Sequence, residues 1–453
     1  MKVLIIGGGI SGLSLAYFLR EQDPAFDITV LESEKKAGGK IWTDRADGFL
    51  CEGGVNGFLD NRPRTLGLAE KLSLSPLRSS DNARKRFIFS DGFLHRLPES
   101  PVAFFTSNLL SLSGRLRILG EMFVPKGTAE EETLAEFARR RLGREAYEKL
   151  IDPMASGIYA GDPHAMSLKS CFLKVYNLEQ KYGSLIKGMI KMQREAKKTG
   201  KKVGAGPGGI LTSFYDGMES MIQALTTFLG DALRTTTKVV SVDRINTRVT
   251  VHCSDGESLD ADIVVIASPA HEAMRIVKPL DKNLASVLGE ISYPAVSVVC
   301  FGYRRARIRH PLDGFGFLVP NREGRKILGT LWDSSIFPNR APEGFVLLRT
   351  MLGGARMSDL ALMGRDKLID LVTGELKDIM GIDVQPDFAQ VYTHEKGIPQ
   401  YERGHEKKLA RIDEIVKRLK GIYITGNAYR GIGVNDCIEN SYALAMRIRE
   451  EHH

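Results

Sequence analysis

The segment KVLIIGGGISGLSLAYFLREQ at residues 2–22 constrains the fold of this chain more than any other: an apolar run breaks into three glycines and resumes with apolar residues at helical spacing. That order is strand, tight turn, helix. Gly7, Gly9 and Gly12 fit the GxGxxG pattern, with Gly8, Ile10 and Ser11 between them. The first glycine permits the turn, the second lets a pyrophosphate approach the backbone, and the third lets the helix pack on the strand. The free N–H groups at the start of such a helix attract phosphate. The glycines also end the apolar run too early for a secretory signal, so the chain is expected to begin with a strand.

A second strand, DITVLE, ends at Glu32, 20 residues beyond Gly12, and Ser33 follows it. A carboxylate there accepts hydrogen bonds from a ribose diol and disfavours a 2′-phosphate. AGGKIWT comes next, a second loop of small residues (Gly38, Gly39) with Lys40 behind it. The stretch GAGPGG at Gly204–Gly209 looks like a further nucleotide loop, yet it follows the short basic TGKKV, and no apolar helix begins at its end. Glycine and proline clusters are primarily turn signals, so we read a mobile loop there and no second nucleotide fold.

TKVVSVDRI, TRVTVHC and ADIVVIAS read as a hairpin feeding a buried strand. The C-terminal KGIYITGNAYRGIGVNDCIENSYALAMRIRE reads as a strand, a glycine-bearing turn and a last amphipathic helix. In that turn Gly426, Gly431 and Gly433 permit close approach to a cofactor, Ile432 and Val434 supply an apolar cover, and the helix start directs N–H groups at a phosphate. The expected class is α/β: a Rossmann-like, discontinuous nucleotide-binding domain (1–75, 205–285 and 410–453), a mixed-sheet substrate domain (76–95 and 286–409) and a helical insert (96–204), the last a candidate membrane-binding domain.

Within the insert, Lys169, Lys174, Lys181, Lys187, Lys191, Arg194, Lys197, Lys198, Lys201 and Lys202 face only Glu179 and Glu195, an excess equal to the chain's whole formal net charge of +8. Such a run suits an anionic membrane surface better than nucleic acid, because no nucleic-acid motif accompanies it. The apolar PVAFFTSNLLSL, earlier in the insert, would supply shallow burial. A chain of 453 residues, 43% hydrophobic and without an apolar stretch of membrane-spanning length, predicts two or three domains and a soluble or peripheral protein. Its 5 cysteines lie far apart with no metal-ligand spacing, which predicts no metal site and a reducing, cytoplasmic setting. His452 and His453 read as a tail.

The glycine-pair loop resembles that of FAD-dependent amine oxidases, phytoene desaturases and porphyrinogen oxidases. EGGVNGFL (52–59), KRFIFSDGFLHRLP (85–98), GIYAGDPHAMSL (157–168) and GIGVNDCIENS (431–441) narrow this further. With them the chain resembles the oxygen-dependent protoporphyrinogen oxidase family from its first strand to its last helix. It departs from the family pattern at Val55, where proline is usual, and at Tyr442, where glycine is usual.

The resemblance implies noncovalent FAD held by the residues above together with Gly54, Val55, Asn56, Gly57 and Val239, the last meeting the adenine through its backbone. It implies that Arg86 pairs with a substrate propionate, that Phe315, Gly316 and Leu318 sandwich the macrocycle, and that Met351 forms another apolar wall. Asn56 is the candidate catalytic side chain, polarising a pyrrole N–H. The implied reaction is oxidation of protoporphyrinogen IX to protoporphyrin IX in haem biosynthesis, with oxygen as acceptor and hydrogen peroxide as product. Coproporphyrinogen III oxidation by the same chemistry, amine oxidation or carotenoid desaturation, and flavin binding without turnover stay open.

Overall fold

The computed structural model describes residues 1–99, 101–198, 208–245 and 248–452. The GAGPGG loop up to Pro207, the basic Lys201 and Lys202, and His453 lie outside them. So do the side chains of Pro101, Val102, Phe105, Lys197 and Lys198. Gly208 and Gly209 have irregular backbone ahead of the strand Leu211–Phe214.

Strand β1 (Lys2–Ile6) and helix α1 (Ile10–Gln22) form as expected, and strand β2 (Asp27–Leu31) returns parallel to β1. β1 is central in a five-stranded parallel sheet whose order is Leu233–Arg234, β2, β1, Ile263–Ile266 and Ile422–Ile424. Both faces of the sheet are covered, which is why LIIG and IVVI are continuous apolar runs instead of alternating ones. One face packs on α1 and the final helix Val434–His452 through Leu15, Ala16, Ile438, Ala445 and Ile448. The sheet thus draws strands from both ends and the middle of the chain.

The expected hairpin, Val239–Ile245 with Arg248–Cys253, gains a third antiparallel strand, Ser258–Ala261. That strand escaped notice because it lies at the sheet edge and its SLDA sequence is largely polar.

A second, mixed sheet has seven strands in the order Phe388–His394, Val296–Arg304, Phe345–Gly353, Gly329–Leu331, Gly316–Leu318, Arg86–Ser90 and Phe93–Arg96. Only Gly316–Leu318 and Arg86–Ser90 run parallel. The helix Arg365–Met380 covers one face, packing Leu368, Val372 and Leu376 on Phe301 and Phe317. Pro76–Arg78 pairs instead with Leu211–Phe214, and the border drawn at residue 409 falls within the helix His405–Arg418.

Residues 97–198 contain no strand among those described, and no helix there or elsewhere among them is long and apolar enough to cross a membrane. The insert is held by a buried charge cluster. Arg141, fully buried, donates to Glu121 (3.0 Å) and through Nε to Glu179 (2.6 Å), while Arg140 bonds Glu132 and Glu179. Glu121 in turn accepts from the N–H groups of Leu185 and Ile186 and so caps the basic helix Leu185–Lys198. Although burial opposes its ionisation, hydrogen bonds from Arg140 and Arg141 hold the Glu179 carboxyl below its ordinary value. Glu179 is therefore spent inside the insert and does not neutralise the surface lysines, contrary to its place in the sequence count.

Candidate functional site

At the carboxyl ends of the parallel strands lies a cavity of about 570 Å³. The first helical bond of α1 is Leu13 N–H to Gly9 O (3.0 Å), so the N–H groups of Ile10, Ser11 and Gly12 precede the helical ladder. No side chain caps this end. The three glycines differ in what limits them. A Cβ on Gly12 would lie 2.0 Å from the Gly7 carbonyl oxygen, so helix and strand could not pack. Gly7 has φ +112°, whereas a Cβ on Gly9 would meet no protein atom within 4 Å and would project into free space of the turn. A phosphate-sized group fits that cradle.

Glu32 is buried; its carboxylate accepts from Gly8 N–H (2.7 Å) and Glu34 N–H (2.9 Å). The Ser33 hydroxyl also donates to Glu32 Oε1 (3.2 Å), so three of a carboxylate's roughly four acceptor positions are used to fix it. The position left suits a ribose hydroxyl.

The expected Gly7, Gly9, Ile10, Ser11, Glu32, Ser33, Lys40, Val55, Val239, Gly426, Ile432 and Val434 line the cavity together, with the glycine pair Gly38 and Gly39. Lys40 Nζ donates to the Lys396 carbonyl (2.8 Å), and burial lowers its pKa. Gly8, Gly12, Gly54, Asn56, Gly57 and Gly433 stand behind the lining. Gly54 and Gly57 pass close to the carbonyls of Lys40 and Thr212, leaving no space for a Cβ. The Gly433 N–H donates to Asp436 Oδ2 (3.3 Å). Tyr442 is accommodated because it turns outward, edge-on to Phe18 (5.3 Å), with the Arg64 guanidinium 3.4 Å from its ring centre. Ser441 donates to Ser11 O (2.8 Å) and keeps the two helices in register.

Trp42, Thr237, Lys238, Ser268, His394 and Asn427 also line the cavity and were not foreseen. Trp42 and Lys238 are near neighbours of the expected Lys40 and Val239. His394 arrives from the edge strand of the other sheet, where Nε2 lies 2.8 Å from Gly53 O. Burial lowers its pKa and favours the neutral ring.

On the mixed sheet Arg86 is paired in register with Gly316, and its guanidinium lies 5.1 Å from the Phe315 ring centre. Arg84 and Lys85 pair with Asp81 and Asp313, whereas Arg86 has no carboxylate partner among the described residues. Leu318 contacts the insert, where a Cβ on Gly157 would lie 2.6 Å from it. Met351 is two strands away, opposite Gly329. The Asp162 of the YAGDP stretch is structural: with Asp152 it binds Arg356 at 2.8 and 2.6 Å.

A buried polar cluster ties the mixed sheet to the strand Phe49–Glu52 and the loop Gly53–Gly57 that follows it. Arg349 bonds the carbonyls of Glu52 (3.2 Å) and Gly54 (2.9 Å) and pairs with Asp333 (3.3 Å), while Arg340 faces Glu52 at 3.7 Å. Burial pushes the Asp333 carboxyl up, opposed by Arg349 and Arg340.

With this geometry in view, residues 10–449 match the family of flavin-containing amine oxidoreductases. The chain belongs to that family. It is 31% identical over 98% of its length to protoporphyrinogen oxidase 1 of Arabidopsis thaliana chloroplasts, covering 87% of that protein. It is 30% identical over 97% of its length to coproporphyrinogen III oxidase of Bacillus subtilis, covering 96%. The crystal structure of an Exiguobacterium sp. 255-15 protein assigned to the protoporphyrinogen oxidases superposes with a TM-score of 0.85 at 27% identity, covering all of this chain and 99% of the other. As a member of the flavin-containing amine oxidoreductases, the chain is an FAD oxidoreductase, and the cradle at Gly9 with the carboxylate of Glu32 fits that cofactor.

Proposed function

We propose that this flavoenzyme oxidises protoporphyrinogen IX to protoporphyrin IX in haem biosynthesis, with oxygen as acceptor. Both curated relatives above are named for porphyrinogen oxidation. The observation in this chain that carries the reading is Arg86, a cation without a carboxylate partner among the described residues, laid beside Phe315. Phe315, Gly316, Leu318 and Met351 offer the apolar surface that a macrocycle needs, and one uncommitted guanidinium suits the adjacent propionates of protoporphyrinogen. When bound, FAD supplies the chemistry, taking hydride from the electron-rich porphyrinogen and passing the electrons to oxygen to give hydrogen peroxide. The chain's residues orient the substrate and exclude water. Coproporphyrinogen III is the second reading, favoured by the Bacillus relative. Supplying each porphyrinogen in turn and following porphyrin fluorescence decides between them; faster turnover of coproporphyrinogen would reverse the order.

Arg86→Ala should raise KM more than it lowers kcat, since a propionate lies away from the reacting bridge. A partly desolvated charged pair contributes about 1–3 kcal/mol, roughly five- to 150-fold. With esterified propionates, wild type and variant should differ little. Equal losses on free acid and ester would make Arg86 structural.

The insert supports peripheral attachment to an anionic membrane. Leu116, Leu119 and Phe123 are exposed on residues 112–123, Phe123 by 82%, and Met189, Ile190 and Met192 are exposed on the helix Leu185–Lys198, which also carries Lys187 and Lys191. The expected PVAFFTSNLLSL contributes less, because its Leu109 and Leu110 are buried. Polybasic segments gain about 1 kcal/mol per charge at an anionic surface. Anionic vesicles should therefore bind the protein better than neutral ones, with binding that weakens as salt rises. Equal partition to both would remove the electrostatic account.

A further inference from the structure

Asn56 sits between the two halves of the site. Its neighbour Val55 lines the cofactor cavity, while its own Nδ2 donates to Asp333 Oδ1 at 3.4 Å. Asp333 is fully buried, and Arg349 Nε lies 3.3 Å from its other oxygen. The same Arg349 bonds Gly54 O (2.9 Å), two residues before Asn56. Asp333 also directly follows Trp332, whose N–H bonds the carbonyl of Phe315 (3.0 Å), the ring beside Arg86. A continuous set of contacts therefore runs from the loop under the cofactor to the proposed macrocycle seat.

The chemistry of that connection fixes an orientation. The NH₂ of the Asn56 amide faces Asp333, whose carboxyl oxygen accepts from it, and the amide oxygen faces the other way. That oxygen, Asn56 Oδ1, is buried and has no hydrogen-bond partner among the described residues. A buried acceptor without a donor carries a desolvation cost that an incoming N–H recovers. Among the groups that the proposed substrate brings, the pyrrole N–H is such a donor.

We propose that Asp333, braced by Arg349, is a positioning residue that holds the Asn56 amide with its oxygen free to accept a hydrogen bond from a pyrrole N–H of the porphyrinogen; this rests on the function proposed above. Electron density at the ring nitrogen rises when its proton is shared, which favours hydride loss from the adjacent bridge. Asp333 does not touch the substrate; its effect passes through Asn56.

The test is a double-mutant cycle with Asp333→Asn and Asn56→Ala, which reads kcat and KM for porphyrinogen, FAD affinity and thermal unfolding. An asparagine at 333 can donate or accept, so the amide of Asn56 is free to turn over. Asp333→Asn is expected to lower kcat roughly tenfold, a magnitude typical of one hydrogen bond to a charged group. It should leave FAD affinity unchanged and add no further loss in the Asn56→Ala background. The paired replacement Asp333→Leu with Arg349→Met removes the ion pair without leaving a buried charge, and should show the same loss of kcat. Additive losses of kcat would overturn the proposal, as would an effect confined to FAD affinity, which would make the flavin the donor to Asn56. Absence of porphyrinogen turnover by the wild-type holoenzyme would instead overturn the functional reading, and with it the pyrrole donor.

Discussion

Replacing Arg141 by methionine should destabilise the helical insert by about 3–5 kcal/mol, because it strands the buried Glu121 without its counterion and leaves Glu179 with Arg140 alone. Arg141 is fully buried between Glu121 and Glu179, and Glu121 also caps the helix Leu185–Lys198. Hydrogen exchange within residues 120–198 should accelerate first, ahead of the parallel sheet. A pH arm gives the sign. The Glu179 carboxyl is held below its ordinary 4.5, so its contribution is present above that value and is lost as pH falls through the depressed one. The deficit of the variant should therefore shrink in acid. Unchanged exchange in Arg141→Met would mean that the cluster does not hold the insert together.

Glu32→Ala should weaken FAD binding by about 1.5–3 kcal/mol, roughly ten- to 150-fold, the range of a hydrogen bond to a charged acceptor. Glu32 also fixes the N–H groups of Gly8 and Glu34, so part of any loss could come from a disturbed turn. An FAD analogue lacking the adenosine 2′-hydroxyl separates the two effects. Wild type should bind this analogue less tightly than FAD, while Glu32→Ala should bind both alike. Undiminished FAD affinity in the variant, or equal discrimination by both proteins, would remove Glu32 as the ribose acceptor.

How far the sequence made this structure legible depended on where the physical constraint was local. The turn at Gly7–Gly12 is readable because close packing tolerates no side chain at Gly12, and such a constraint has a fixed spacing. Glu32 follows from the same unit. Val239 and Arg86 were reached only through resemblance, since nothing in a strand sequence tells which backbone meets a ligand. His394 was missed because its place comes from sheet order, from a strand far along the chain. The buried charges left fainter signals. Arg349 is a lone cation inside the apolar VLLRTML, which is what a paired, buried arginine looks like. Arg141 was hidden in ARRRL, where three successive arginines suggest a solvated face. In fact Arg139 stacks on Tyr147, Arg140 is half-buried, and Arg141 is sealed inside. Glu179, counted as a surface charge, belongs to the same cluster.

The central claim is that flavin in this site is reduced by a porphyrinogen. It is tested most directly by mixing the purified holoenzyme with protoporphyrinogen IX in the absence of oxygen. The flavin's visible absorbance should bleach while porphyrin fluorescence develops, and admitting oxygen should restore the absorbance with formation of hydrogen peroxide. A flavin that stays oxidised with both porphyrinogens, yet is bleached by an amine, would contradict the account and place the chain among the amine oxidases in activity as well as in family.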